Sequence, residues 1–335
     1  MSNNGVRPTV SEWALRDYLG AMAVRLGFRR MRYLQPPGLY ALGSPGPDSP
    51  VFVSANYKLS FDHLRRALAG MNAWILALDT QGVNVWCAAG KGTFGTDELI
   101  RRIRETDLGA RSTRRQLILP QLGAPGVAAH EVRKQTGFSV VYGPVYARDI
   151  GAFMKAGLVA APDMRRVHFR WHERLAVAPL ELVVHFRKML LAGLVIAGLA
   201  GVSAQGFSWT AARAVGGVAL AAWALSYAAA GFLGPLLLPW LPGRPFAIKG
   251  ACLGAALAAL GVWAAAPDWP ALRIAAWALL VSAAVSHLLL NFTGSTTFTS
   301  PSGARREVRL ALPAQMAAGL IGLAAWIAAG FVWRG

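Results

Sequence analysis

Cysteine is nearly missing from this 335-residue sequence, which carries only Cys87 and Cys252. Two thiols far apart exclude a disulfide framework and are compatible with a reducing compartment. They also exclude a Cys-x-x-Cys-x-x-Cys run, so the chain has no iron–sulfur cluster motif of its own. Acidic residues are scarce as well, 16 against 34 Lys and Arg, leaving a net charge of +18. Such a charge first suggests nucleic acid, but zinc-finger spacing and an RNP-type aromatic box are both lacking. His63, His130, His168, His172 and His185 show no metal-ligand spacing. The stretch from Met1 to Trp13 is polar, with no apolar h-region. It therefore predicts no cleavable signal peptide and a soluble part that stays in the cytoplasm.

Charge is also scarce in one half of the chain. Residues 1–188 hold 26 Lys/Arg and 14 Asp/Glu, whereas residues 189–335 hold 8 and 2. With 55% hydrophobic residues and a mean hydropathy of +0.40, the whole is too apolar for an ordinary soluble protein. The expected organisation is a soluble α/β domain over 1–168, a basic juxtamembrane segment over 169–188 and a transmembrane domain over 189–335. Five apolar stretches, centred near residues 197, 224, 257, 282 and 325, are each long enough to cross a bilayer. Five crossings with the soluble domain inside place Arg244, Lys249, Arg305, Arg306 and Arg309 on the inner side and Arg213, Arg273 and Arg334 on the outer. The positive-inside rule agrees, predicting a multi-pass protein of the inner membrane whose basic residues face lipid rather than nucleic acid.

Within the soluble part, strand-like and helical runs alternate. Val51–Ala55, Ala73–Asp79, Val83–Trp86, Gln116–Leu119 and Phe138–Tyr142 read as strands. Phe61–Ala69 (opened by Ser60), Thr96 through about Glu105, Val127–Gln135 and Ala147–Ala156 read as helices. Such alternation predicts βα units around a mostly parallel sheet. The Gly- and Pro-bearing links at 121–126 and 143–144 follow strands, where an open α/β sheet binds ligands, although each could be a plain tight turn.

The chemically informative stretch is Asn84-Val85-Trp86-Cys87-Ala88-Ala89-Gly90-Lys91-Gly92-Thr93-Phe94-Gly95-Thr96-Asp97-Glu98. Its small residues permit close approach of a bulky ligand around a single thiol. A phosphate-binding P-loop fails, because Gly90-Lys91 is followed by Gly92 and the position five before Gly90 is Val85. A Cys–His nucleophile, a small buried cysteine, and a soft thiolate ligand to a metal already held by a cofactor stay open.

Asn84 to Lys91 resembles the signature of the HgcA family, the corrinoid proteins of microbial mercury methylation. The likeness continues through Gly92–Leu99. It takes in Pro37–Tyr40, Val53–Ser60, Pro120–Gly126 and Gly137-Phe138, and in the membrane half the polar stretch Asn291–Ser300. The resemblance implies a Rossmann-like corrinoid-binding domain, related to the corrinoid iron–sulfur protein, followed by an all-α transmembrane domain of five helices. It implies a cap helix over Asn84–Gly90, in conflict with the strand read at Val83–Trp86, and Cys87 as axial ligand to the cobalt of cobalamin or a related corrinoid. The Asp-x-His-x-x-Gly motif of histidine-ligated B12 proteins is absent. On this reading Trp86 and Phe94 offer aromatic surface to the macrocycle, and Ala88, Ala89, Gly90 and Gly92 leave room for it. Asn84 caps or bonds locally, and Lys91 meets an amide or phosphate of the cofactor. Val85 and Thr93 complete the binding stretch, while Ser54, Asn56, Gly123, Ala124, Gly126 and the link at Tyr142–Pro144 enclose the nucleotide tail.

The implied reaction is methyl transfer from cobalt to Hg(II). Hg(II) is a soft electrophile, so the methyl group must leave with its bonding electrons, and an electron-donating Cys87 thiolate on the opposite face favours that direction. The cobalt is then reduced by a separate HgcB-type two-cluster ferredoxin and remethylated through a methyltetrahydrofolate-linked methyltransferase. Two other readings stand beside it: a paralogous methyltransferase with another acceptor, and a non-catalytic corrinoid-binding or electron-transfer module. Cys252 reads as a small packing residue of the third span, and His287 as an interhelical hydrogen-bonding group of the fourth.

Overall fold

The computed structural model describes residues 5–296 and 298–332, so Thr297 of the polar stretch and Arg334 of the outer charges lie outside the described residues. The chain divides into two compact units, Met1–His168 and Phe169–Gly335. The first is mixed α/β and the second is helical apart from a two-residue-per-strand hairpin at 202–207.

The first unit is built on six strands: β1 (Val6–Thr9), β2 (Gly38–Leu42), β3 (Val51–Ala55), β4 (Ala73–Leu78), β5 (Gln116–Leu119) and β6 (Ser139–Tyr142). They lie in the order β1-β2-β4-β3-β5-β6, and every neighbouring pair is parallel except β2 with β4. Seven helices accompany them: α1 (Leu15–Arg25), α2 (Lys58–Ala67), α3 (Val85–Lys91), α4 (Thr96–Glu105), α5 (Leu108–Arg111), α6 (Ala129–Thr136) and α7 (Ile150–Lys155). The central strands are apolar on both sides. Val51, Val53, Trp74, Leu76 and Leu117 pack with Leu99, Ile103 and Val132 of α4 and α6. Their alternates Phe52, Ala73, Ile75 and Ile118 pack with Phe61 and Leu64 of α2 and Phe153 of α7. Period-two alternation thus fills two cores, giving helices on both faces of a parallel-dominated sheet. After β3 the chain adds β4 on one side and then returns to place β5 on the other. The strand order reverses between β3 and β5, and ligand crevices open beyond the C-terminal strand ends at such points.

Four expectations change. Val83–Trp86 is not a strand, because Asn84 caps a helix that starts at Val85. Helix α2 begins at Lys58 rather than after Ser60, and Lys58 is held to Asp62 one turn on at 2.6 Å. The stretch 147–156 divides into a 3₁₀ turn and α7. Strands β1 and β2 and helix α1 were not read from the sequence at all. Helix α1 is pinned to α2 by four buried or half-buried charges: Asp17 pairs with Lys58 at 2.7 Å and Arg65 at 2.8 Å, and Asp62 pairs with both as well. Burial opposes ionisation of Asp17, but Lys58, the Ala14 amide and Arg65 outweigh it and bring its pKa down to about 2.

Among the described residues the second unit has five α-helices: α8 (Trp171–Leu199), α9 (Trp209–Leu237), α10 (Phe246–Ala265), α11 (Ala271–Asn291) and α12 (Pro301–Val332). All five are long and apolar enough to cross a membrane. The basic stretch of 169–188 is not a separate element, since α8 runs unbroken from Trp171 through Arg187 and Lys188 to Leu199. A 29-residue helix spans ~43 Å against ~30 Å of hydrocarbon, an excess of about nine residues. Arg174 in the first turn can therefore stay outside the apolar layer, whereas Arg187 and Lys188, ~24 Å along, reach its edge only by extending their long side chains. Helices α10 and α11 meet almost backbone to backbone. A Cβ on Gly250 would lie 2.6 Å from Ser286 Cα, and one on Gly254 2.6 Å from Ser282 Cα. This small-residue seam is how helices associate where lipid removes the hydrophobic drive. Trp269, Trp277 and Trp326 meet edge-on or tilted, with ring centroids 5.3 to 6.0 Å apart, and Trp326 Nε1 donates to Ile196 O at 3.0 Å. His287 joins helices, its Nδ1 lying 3.3 Å from Gln315 Oε1. Cys252 is exposed on α10 and not a packing residue.

Two outcomes follow from this packing. Asp17 is depressed from 3.8 to about 2, so its contribution is complete above about pH 4 and is lost as pH falls through 2. Asp17→Asn, which leaves Lys58 and Arg65 with Asp62 alone, should destabilise the first unit by on the order of 3 kcal/mol at neutral pH and flatten this acid limb. Hydrogen exchange of residues 58–67 in denaturant checks it. Gly254→Leu should lower the melting temperature of the protein in detergent, whereas Gly217→Ala, where a Cβ meets nothing within 4 Å, should not.

Candidate functional site

The loops after β3, β4, β5 and β6 gather at one edge of the sheet, and α3 lies among them. The chain leaves β4 at Asp79 and turns through Gln81 and Gly82, both with positive φ, before entering the helix. Asn56, just beyond β3, organises this turn. Its Oδ1 accepts from the amides of Thr80 (3.0 Å) and Gly82 (3.2 Å), and its Nδ2 donates to Asp79 Oδ1 at 3.2 Å. The Asp79 amide donates in turn to Glu98 Oε1 at 2.7 Å, and Glu98 is clamped by Arg102 at 2.9 Å and by Arg101. The turn is therefore fixed from β3 on one side and from α4 on the other.

Asn84 then starts the helix, its Oδ1 accepting from the Cys87 amide at 2.9 Å. This is an N-cap of the usual kind, and it ties the residue bearing the thiol to the cap itself. Gly92 ends the helix with φ +82, a left-handed C-cap that favours glycine. Seven residues give two turns and two distinct sides. Ala88 and Ala89 are buried, whereas Trp86, Cys87, Gly90 and Lys91 are exposed.

The inner side rests on the 3₁₀ segment Gln121–Gly126 that follows β5. A Cβ on Gly126 would stand 2.1 Å from Phe94 O and 3.1 Å from Ala89 Cα, and one on Gly123 2.5 Å from the Phe94 ring. Tyr142, at the end of β6, donates to Val127 O at 2.7 Å and holds the far end of the segment. Gln121 Oε1 is buried there without a hydrogen-bond partner among the described residues.

The structure divides the sequence-predicted residues into two groups. Trp86, Cys87, Gly90, Lys91 and Gly92 share solvent-facing surface, and Gly90 has nothing within 4 Å of where a Cβ would be. Gly90, three residues on, puts no side chain in the way of a planar macrocycle approaching the Cys87 sulfur, and Lys91, four residues on, borders that approach. The residues at this face therefore fit a corrin held by a thiolate. The second group serves the scaffold. Phe94 is fully buried and offers no aromatic surface to a ligand. Ala88 and Ala89 make room for the 121–126 segment and not for a ring. Ser54 is buried with its hydroxyl donating to Ala55 O at 3.1 Å, and Asn56 is consumed by the turn. Gly123 and Gly126 permit internal contact, Ala124 is half-buried beside them, and Val85 and Thr93 are half-buried at the helix ends. Sequence reading missed Asp79, Thr80 and Glu98, whose role is visible only once β3, β4 and α4 are neighbours. Among the described residues no three His, Cys, Asp or Glu side chains gather as a metal cluster.

This part of the chain matches known proteins. Residues 30–154 match the family described as the CO dehydrogenase/acetyl-CoA synthase delta subunit. The gamma subunit of the acetyl-CoA decarbonylase/synthase complex of Archaeoglobus fulgidus is 33% identical over 111 residues, covering 32% of this chain and 23% of that protein. The gamma subunit from Methanopyrus kandleri is 29% identical over 157 residues, 46% of this chain and 34% of that one. The corrinoid/iron-sulfur protein large subunit of Moorella thermoacetica is 28% identical over 124 residues, 36% of this chain and 27% of that one. The chain thus spans about a quarter to a third of the length of these relatives. The unit that carries Cys87 is similar to proteins of the corrinoid/iron–sulfur type, and the five-helix unit lies outside residues 30–154, which the family model matches.

Proposed function

We propose that the chain is a membrane-held, corrinoid-dependent methyltransferase that gives methylmercury from Hg(II), with the Cys87 thiolate as the lower ligand of cobalt. The observation that carries this reading is the position of Cys87. It is an exposed thiol on the open side of a capped helix, beyond the C-terminal strand ends of a domain similar to corrinoid proteins. A bound corrinoid supplies a methyl group carried on cobalt. Cys87 would hold that metal and donate charge to it, Asn84 and the Asn56 turn would keep the sulfur in place, and Trp86 and Lys91 would lie beside the cofactor. Gly90 keeps the approach open.

Hg(II) is the substrate on this reading, and an HgcB-type ferredoxin and a methyltetrahydrofolate-linked methyltransferase are the partners. Similarity to acetyl-CoA decarbonylase/synthase subunits favours a second reading, with the same cofactor and a different methyl acceptor. Arg244 lies in the connection from α9 to α10, Lys249 in the first turn of α10 and Arg305 and Arg306 in the first two turns of α12, while Arg213 and Arg273 lie near the starts of α9 and α11, at the opposite ends of the spans. That asymmetry supports a cytoplasmic position for the α/β unit.

Anaerobic cells expressing the chain with its ferredoxin should produce methylmercury from Hg(II), and Cys87→Ala cells should not. Equal output from both would remove Cys87 from the reaction. Cys87→His should retain corrinoid and transfer methyl poorly. Corrinoid retained by the wild type without methylmercury would keep the cofactor and replace the acceptor. Gly126→Val should lift α3 from its bed and weaken corrinoid retention about tenfold or more, whereas Gly151→Ala, in open space, should leave it unchanged. The corrinoid absorbance of anaerobically purified protein reads both.

A further inference from the structure

Helix α1 presents its apolar side to solvent. At ~100° per residue, Asp17, Ala21 and Val24 fall on one side of the helix and Leu15, Leu19 and Met22 on the other. The first three are buried against the domain, with Asp17 ion-paired to Lys58 and Arg65. The second three are 74%, 52% and 56% exposed. This placement is not a matter of loose packing, because the buried charge network fixes which side of α1 turns inward. Arg16 and Arg25 flank the apolar stripe, one on each side, and both are exposed. The chain then continues through exposed Phe28 and Met31, interleaved with Arg29, Arg30 and Arg32. Between residues 13 and 47 the only acidic residue is Asp17, which is turned inward.

We propose that α1 and the 3₁₀ turn at Arg30–Arg32 form an interfacial anchor that lays the α/β unit on an anionic lipid surface. An apolar stripe that enters the acyl boundary, bordered by arginines at the level of the phosphates, is the arrangement of a helix lying in the membrane plane. The charge is one-signed, as an anionic surface requires, and the same chain carries five helices of membrane-crossing length. Residues 15–25 precede the stretch matched to the CO dehydrogenase/acetyl-CoA synthase family, and the turn at Arg30–Arg32 stands at its first residues. The anchor adjoins the Cys87 helix. A Cβ on Gly82, in the turn before α3, would stand 2.3 Å from Leu34 Cδ2 and 3.1 Å from Met31 O. The lipid contact and the turn that carries the thiol thus share a packed boundary, whatever Cys87 binds.

The test uses the full-length protein in nanodiscs of phosphatidylcholine alone or with phosphatidylglycerol, followed by hydrogen exchange. Amides of residues 15–25 should exchange about tenfold more slowly in the anionic discs, and about 1 M salt should remove most of the difference. Leu15→Glu with Leu19→Glu and Met22→Glu should abolish the protection in both discs. Arg16→Gln with Arg25→Gln and Arg32→Gln should abolish only the part that depends on phosphatidylglycerol. Unchanged exchange over residues 58–67 shows in each variant that α2 and its ion pairs remain. Equal exchange in both discs at low salt would overturn the proposal. So would protection that arises only when a ferredoxin or methyl-donor protein is added, since the face would then belong to a protein partner.

Discussion

The site depends on one steric constraint: how closely α3 lies against the Gln121–Gly126 segment. At Gly126 there is no room for a methyl group between the segment and the backbone at Phe94 and Ala89. The contact is made by main chain and by alanines, so neither partner can shift without a penalty of the kind paid for overpacking. Given that contact, the inner side of α3 is fully occupied and only one side is left for chemistry. The hydrogen bonds around Asn56, Asp79 and Glu98 complete the restraint by fixing the turn that feeds the helix. A two-turn helix with little stability of its own is thereby held by its neighbours at both ends.

Much of the α/β unit was legible from alternation alone. Buried strands such as Val51–Ala55 and Ala73–Leu78 are apolar on both sides, and α4 opens with Asp97 and Glu98 in its first turn. The cap helix was not legible by that means. Val83 to Trp86 has the composition of a strand, and what makes a helix of the following residues is the Asn84 side chain and the bed beneath Ala88 and Ala89. Residue-type reasoning also overestimated the ligand face. Small residues near a thiol suggest space for a ligand, but Ala88 is buried within the domain, Gly126 makes room for Ala89 and the Phe94 carbonyl, and Gly123 for the Phe94 ring. Asn56 and Phe94 were read as ligand contacts for the same reason, that a segment resembling a binding motif does not reveal which of its side chains turn inward. Helix α1 escaped notice because its apolar positions face outward, and the pairing that decides this joins Asp17 to residues more than 40 positions away.

The two units solve the packing problem by different means. In the first, large aliphatic and aromatic side chains from alternate strand positions fill two apolar layers, and burial of their area supplies the drive. In the second, α10 and α11 approach through Gly250 and Gly254 against Ser282 and Ser286, where dispersion and close fit replace that drive. Tryptophans and Arg273 cluster toward the other end of the bundle, with the Arg273 guanidinium 5.6 Å from the Trp326 ring centroid. Ser286 and Gln315 tie α11 to its neighbours through polar contacts. Ser286 Oγ donates to Ala247 O and accepts from Gln315 Nε2, each at 2.8 Å.

The Asn84 cap has an electronic consequence for the thiol. Amides near a cysteine commonly donate to its sulfur and draw charge away from it, and such bonds tune metal–thiolate centres. Here the amide of Cys87 is engaged by Asn84 Oδ1, and that of Ala88 by Asn84 O at 2.9 Å. Neither is directed at the sulfur. The geometry that begins the helix therefore directs these two amides away from the sulfur, and what acts on a Cys87 thiolate from its own backbone is the positive N-terminal end of α3.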